Sequence, residues 1–186
     1  MLILALETAV DPGSIALWLD GTVIARSCPG DRPNSETLLP LAEATLRDMG
    51  LAFADVGAIA FGMGPGSFTG LRAACGVAQG LAVARDLPLL GVSTLEAMAL
   101  SSRARKVVVA LDARMSEVYH GVFVDGVQVG EIGVCPPGDV PVPDEAGFVV
   151  CGNGLAAYPV LVERFSPVVD TLMSEIVPTA ESVVCL

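Results

Sequence analysis

Met1 to Leu6 is an unbroken apolar run that closes on Glu7-Thr8, and it predicts an opening strand. A turn on Asp11-Pro12-Gly13 leads into Ser14–Leu19, and Asp20-Gly21 predicts a hairpin onto Thr22–Ala25. Leu38, Leu41, Ala42, Thr45, Leu46 and Met49 then recur at helical spacing, predicting a helix over 35–49 with Gly50 suited to its C-terminal cap. Pro40 fits that helix only if it begins late or takes a proline in its first turn. Val56–Phe61 predicts a strand, 62–70 a glycine-proline loop, 69–85 a second helix and Leu87–Val92 a short strand. Ser93-Thr94-Leu95-Glu96 has the form of a capping box and opens a helix running to about Ser101.

Past Arg103-Ala104-Arg105-Lys106, a small basic seam, the pattern turns to strands at Val107–Leu111, Val118–Val124 and Val127–Val134. Asp125-Gly126 is a second hairpin signal. A loop rich in proline and glycine spans 135–147, followed by a strand at Phe148–Cys151 and a turn at Gly152-Asn153-Gly154. A helix over Leu155–Phe165 is interrupted near Pro159, and a last helix begins at Thr179 and Glu181. The end, Val183-Val184-Cys185-Leu186, reads as an apolar helix left unfinished, as in a truncated or unusually short variant.

Three strands, then alternating helices and strands, then a smaller β-rich lobe: this order resembles the actin/Hsp70/sugar-kinase (ASKHA) fold. The expected architecture is α/β in two lobes, 1–102 and 103–186, each built on mixed sheet flanked by helices. In that fold an acidic residue ending the first strand handles Mg²⁺ and nucleotide phosphate, and Glu7-Thr8 holds that place here.

The loop Gly62-Met63-Gly64-Pro65-Gly66-Ser67-Phe68-Thr69-Gly70 follows a strand and feeds a helix, as phosphate-cradling turns do. It matches neither standard fingerprint. No lysine precedes Lys106, which excludes GxxxxGK[ST], and Ser67 stands where GxGxxG needs its last glycine. Ser67 or Thr69 can cap the helix, so the plainer reading is a tight turn that also seats the helix. Glu7, Gly64 and Gly66 are the weak cofactor-binding candidates, and the nucleotide site reads as degenerate.

The helix after the loop has almost no polar side: only Arg72, Gln79 and Arg85 are strongly polar, and Arg72, Gln79 and Asp86 share one stripe. A helix apolar nearly all round must be covered nearly all round. In so short a chain one core covers one face, so the other is expected to meet a partner; the alternative is a central helix sandwiched within its own domain. The expected interface residues are Leu38, Leu41 and Leu46 on the first helix and Leu71, Ala74, Cys75, Ala78 and Leu81 on the second. Arg72 is expected as a polar anchor at the rim.

Composition narrows the chemistry. The 186 residues are 53% hydrophobic and 17% charged, which implies a sizeable core. No apolar run reaches the ~18 residues of a membrane span, and the N-terminus lacks a basic start, so the expected setting is cytoplasmic. A net charge of −11 repels phosphate backbones and disfavours unaided nucleic-acid binding. Cys28, Cys75, Cys135, Cys151 and Cys185 are widely spaced with no CxxC pair, which predicts reduced, mostly buried thiols and no zinc or disulfide framework. His120 is the only histidine and is expected to be an ordinary strand residue, so no metal site or catalytic residue is expected. Asp112-Ala113-Arg114, with Glu117 nearby, stands where a second catalytic acid would be, yet suits a structural ion pair equally well. Gly64-Pro65-Gly66-Ser67-Phe68 places its serine one residue too late for GxSxG.

Five blocks, in order, are similar to one family: ILALETA near the N-terminus, SETLLP at Ser35–Pro40, FGMGPGSFTGLR at Phe61–Arg72, GVSTLEAMA at Gly91–Ala99 and LDARMSEVY at Leu111–Tyr119. They resemble the TsaB (YeaZ) family along almost the whole chain. The resemblance implies a non-catalytic pseudo-enzyme, a degenerate paralogue of TsaD, the subunit that makes threonylcarbamoyladenosine in tRNA. It implies pairing with TsaD through the two helices of the first lobe, TsaE joining with ATP only at the assembled complex, and a homodimer when the chain is alone. Older labels for such proteins are glycoprotease-like, but this sequence offers that activity neither nucleophile nor metal site. The reading from another class is a nucleotide-dependent phosphotransferase or ATPase using Glu7 and the 62–70 loop. The chain departs from the family in having Glu7-Thr8 for Asp-Thr, Asn34 where histidine is common, and no further C-terminal segment.

Overall fold

The computed structural model describes residues 1–186 and divides into two units, Met1–Thr94 with Pro178–Leu186, and Leu95–Val177. In the first unit the strands are β1 (Leu2–Glu7), β2 (Ser14–Leu19), β3 (Thr22–Ser27), β4 (Val56–Gly62) and β5 (Leu89–Val92). They lie in the order β3-β2-β1-β4-β5, with β1–β2 and β2–β3 antiparallel and β1–β4 and β4–β5 parallel. The expected hairpin at Asp20-Gly21 forms, with both residues at positive φ.

Register gives this sheet two unlike faces. Leu4 pairs with Leu17 and Ile59, and with Leu2, Leu6 and Ile15 these side chains make a fully buried aliphatic layer. Helix α1 (Asn34–Asp48) contributes Leu38, Ala42 and Leu46 to it, and helix α2 (Phe68–Arg85) contributes Ala74, Ala78 and Ala82. One residue along, Ala5 pairs with Ala16 and Ala60, so the opposite face carries a row of alanines. Ser14 shares that face, and its Oγ accepts the Ala180 N–H at 2.9 Å. The C-terminal helix α6 (Ala180–Val184), capped by Thr179, packs on β1, β2 and β4.

The second unit repeats the first in strand order and direction. Strands β6 (Lys106–Arg114), β7 (Glu117–Val124), β8 (Val127–Cys135), β9 (Val149–Cys151) and β10 (Thr171–Met173) lie as β10-β9-β6-β7-β8. Here β6–β7 and β7–β8 are antiparallel, β6–β9 and β9–β10 parallel. The α-helices are α3 (Thr94–Ser102), α4 (Gly154–Ala157) and α5 (Pro159–Phe165), a 3-10 turn spans Pro137–Asp139, and Val108, Val118, Val150, Leu161 and Phe165 lead the core.

Several expectations are corrected. The boundary expected after residue 102 falls at Thr94/Leu95, because Leu95, Ala97 and Met98 of α3 are fully buried and the Met98 carbonyl takes the Cys151 thiol. Residues 178–186, expected in the second lobe, return to the first because the amide of Ala180 is bonded to Ser14. Pro40 lies well inside α1, not in its first turn; Glu36, whose carbonyl loses its helical donor there, is exposed, so solvent can satisfy it. Strand β10 was not expected at all. The interruption expected near Pro159 is there: Tyr158, in extended geometry, separates α4 from α5. No helix is long and apolar enough to cross a membrane.

Candidate functional site: a filled cradle and an open helix face

The end of β1 presents Glu7 beside the 62–70 loop, as the sequence pattern anticipates, but the space between them is occupied by the chain itself. Glu7 is buried; its Oε1 accepts the Ala9 N–H at 2.7 Å, and Thr94 Oγ1 donates to its Oε2 at 3.5 Å. Gly62 lies directly against this carboxyl, so closely that any Cβ there would overlap Oε2. Burial pushes the Glu7 pKa above its ordinary value, against the pull of the backbone bonds from Ala9 and Thr8 and of Thr94.

Gly66 and Gly70 serve the same close fit. A Cβ on Gly66 would strike Ala9, and one on Gly70 would strike the Thr8 carbonyl. Thr8 Oγ1 donates to the Gly70 carbonyl at 2.7 Å. Four amides of this stretch are spent internally: Met63 N–H on Val92, Ser67 N–H on Ala9, Gly70 N–H on Ser67 Oγ and Leu71 N–H on the Ser67 carbonyl. A phosphate cradle needs such N–H groups aimed into open space. Gly64, at φ +101°, is buried, and a Cβ on it would press on Leu71. The glycines therefore seat one segment of the chain on another, which is the plainer of the two sequence readings.

The helix pair is the second region. The buried row of α2 is Gly70, Ala74, Ala78 and Ala82, four residues apart, and these small side chains let the helix lie close to the sheet. Ala73, Val77 and Leu81 are half covered. The far side is open: Arg72, Gly76, Gln79, Gly80 and Val83 are exposed, Val83 to 84%, and a Cβ on Gly76 or Gly80 would meet nothing. At the start of α2, Phe68 is 68% exposed, with the Arg72 guanidinium over its ring at 3.7 Å. On α1, which packs against α2, Leu39 and Pro40 are exposed.

This geometry corrects the expected interface set. Leu38, Leu46, Ala74 and Ala78 belong to the chain's own core and have no surface to offer. Leu41, Leu71, Cys75 and Leu81 are half-buried and Arg72 is exposed. The exposed apolar residues that the reading missed are Leu39, Phe68 and Val83. Helical periodicity alone selects an apolar stripe without saying which side the sheet takes. The signal available in α2 was residue size, since the row that meets the sheet holds only glycine and alanine.

No group of three or more His, Cys, Asp and Glu side chains gathers anywhere in the chain. His120 stands on β7 opposite Ala110 and Gly133, with its pKa lowered by burial. Asp112 and Arg114 do pair, at 3.7 Å, and Arg114 stands opposite Glu117 in the β6–β7 register. Cys28 and Cys151 are buried thiols, Cys151 with its pKa pushed up to about 12 by burial.

Residues 30–132 match the family described as TsaD, tRNA N6-adenosine threonylcarbamoyltransferase. The chain is 36% identical over 180 residues to the tRNA threonylcarbamoyladenosine biosynthesis protein TsaB of Haemophilus influenzae, covering 87% of this chain and 76% of that one. It is 47% identical over 129 residues to the Escherichia coli protein of the same description, covering 66% of this chain and 55% of that protein's length. Among solved structures, YeaZ from Pseudomonas aeruginosa superposes with a TM-score of 0.87 at 36% identity, over 100% of this chain and 89% of the other. A Bacteroides thetaiotaomicron protein with actin-like ATPase fold reaches a TM-score of 0.52 at 7% identity over 98% of this chain and 95% of its own, a likeness of fold alone.

Proposed function

The chain belongs to the TsaB (YeaZ) family, and from that membership we propose that it serves tRNA threonylcarbamoyladenosine biosynthesis as a non-catalytic scaffold for a TsaD-type subunit. The observation that carries the proposal is the outer side of α2, with Val83 84% exposed and Gly76 and Gly80 facing open space. A partner helix can come close over two glycines and cover Val83, Leu39 and Phe68 around it. In the absence of the subunit the same face would join two copies about a twofold axis, so homodimer and heterodimer compete. The non-catalytic part of the reading is supported by the filled space at Glu7, whose oxygens are engaged by Ala9 and Thr94. ATP enters this scheme only in the assembled complex, with a TsaE-type component. Contact with tRNA falls to the partner, since a net charge of −11 opposes phosphate. The chain would act in the cytoplasm.

Light scattering after size exclusion, on the chain alone and mixed with the TsaD-type protein of the same organism, tests the proposal. The wild type is expected as a homodimer that converts to a stable heterodimer. Val83→Arg is expected to abolish both associations while leaving the chain folded, with a wild-type circular dichroism spectrum. A monomeric wild type that ignores the TsaD-type protein would overturn the scaffold reading and return attention to Glu7.

A further inference from the structure

The open side of α2 carries one charge toward each end. Arg72, Gln79 and Asp86 stand seven residues apart, a spacing that returns to nearly the same side of a helix, and all three are exposed. Gly76 and Val83, also seven apart and exposed, run beside them. Neither Arg72 nor Asp86 enters an ion pair within the chain. The Arg72 guanidinium lies over the Phe68 ring, and Asp86, at φ +52°, caps the helix through its backbone N–H on the Ala82 carbonyl. The other cations of the two helices are already engaged: Arg47 pairs with Glu43, and Arg85 donates to the Ala54 carbonyl.

The order of the two charges runs against the helix that bears them. A helix dipole favours carboxylates at the N-terminal end and cations at the C-terminal end. Asp86 nonetheless stands at the C-terminal cap, and Arg72 lies toward the other end, in the second turn. Neither charge serves its own helix, and each suits the opposite end of another helix laid antiparallel.

We propose that α2 recognises the α2 of a second copy of this chain in antiparallel register, with Arg72 of each copy set against Asp86 of the other. This rests on the twofold dimer proposed above and adds to it an orientation and the residues that select it. A twofold axis crossing the helix beside Gln79 and Gly80 lies midway between Arg72 and Asp86, so it forms both charge pairs at once. The same axis lays Val83 of each copy over Gly76 of the other, where a side chain would meet nothing in the single chain. Parallel packing would instead set Arg72 against Arg72 and Asp86 against Asp86, so the charges select the antiparallel arrangement. Stacking on Phe68 uses the face of the guanidinium and leaves its N–H edge for a carboxylate. A net charge of −11 on each copy opposes association at long range, but that repulsion is screened over about 8 Å at physiological salt, whereas the two pairs act in contact.

Charge reversal tests the register, with self-association measured by sedimentation equilibrium and folding by circular dichroism. Arg72→Asp and Asp86→Arg each turn two attractive pairs into two repulsive ones, and each is expected to raise the dimer Kd about tenfold or more. The double variant Arg72→Asp/Asp86→Arg restores both pairs in reversed order and is expected to dimerise like the wild type. An equimolar mixture of the two single variants is expected to pair as well, since every reversed charge then meets its opposite on the other chain. A double variant that stays monomeric, or single variants that dimerise as tightly as the wild type, would overturn the antiparallel pairing. With Val83→Arg still disruptive and the TsaD-type protein still bound, the scaffold reading would stand. A monomeric wild type that binds the TsaD-type protein would likewise overturn the pairing alone, and one that binds neither itself nor that protein would overturn both readings.

Discussion

Glu7 shows how one residue can satisfy a sequence rule and serve another purpose. It ends the first strand beside a glycine-rich loop, where the sequence pattern predicts phosphate handling, yet Gly62, Ala9 and Thr94 close around it. A carboxyl whose folded pKa lies above its unfolded value holds its proton more tightly when folded. The stability this contributes is complete below the unfolded value, near 4.5, and is lost as pH rises through the raised folded value. Glu7→Gln keeps the acceptor for Ala9 and cannot ionise. Its melting temperature should match the wild type in acid, exceed it increasingly as pH rises through that window, and keep a constant excess above it; thermal denaturation across pH checks this, and parallel curves would refute the burial account. The glycines were legible as a request for close approach, but the sequence does not say what approaches. The Thr8 carbonyl and the Ala9 side chain supply that answer, and both come from the chain's own neighbouring segment.

Helix α2 raises the same question at the scale of an element. Its composition predicts burial all round, whereas the chain covers only the Gly70-Ala74-Ala78-Ala82 row. Two substitutions on this helix should therefore behave in opposite ways. Ala78→Arg forces a long cation into the fully buried row and should cost about 3 kcal/mol or more, collapsing the first unit. Val83→Arg, on the open side, should change the stability of the single chain by about 0.5 kcal/mol or less, beyond what loss of the dimer removes. Urea titration followed by circular dichroism distinguishes them, and a well-folded Ala78→Arg would mean the helix does not lie on the sheet as described. Leu38 and Leu46 teach the complementary lesson on α1: large apolar residues at helical spacing suit an interface and a core equally, and these two belong to the core. Elements bounded by strong local chemistry were read closely, such as the Asp-Gly hairpins and the Ser67 cap. The turn at Met115-Ser116 was not, because its residues carry no turn signal and its geometry is imposed by the pairing of β6 with β7.

At the scale of the whole molecule, two sheets of one topology carry two cores, and the C-terminal segment belongs to the first. A chain ending at Val177 would lose α6, the Ser14–Ala180 bond and the cover over the alanine row of β1, β2 and β4. Amide hydrogen exchange should then quicken in β1 and β2 while β6 and β7 keep their protection; unchanged exchange in β1 and β2 would show that α6 is not part of that core. The family, the α/β class and most strands follow from local pattern, since apolar runs, hairpin dipeptides and caps act over a few residues. The repeat of the first sheet by the second was not readable, because β10 is only three residues long and the places of β9 and β10 are fixed by parallel partners distant in the chain. The return of residues 178–186 and the choice of which helix face to bury depend likewise on long-range contacts. Short-range preferences decide which elements form; only the packed structure, where a carbonyl fills a cradle and an alanine row receives a helix, decides which surfaces remain to act.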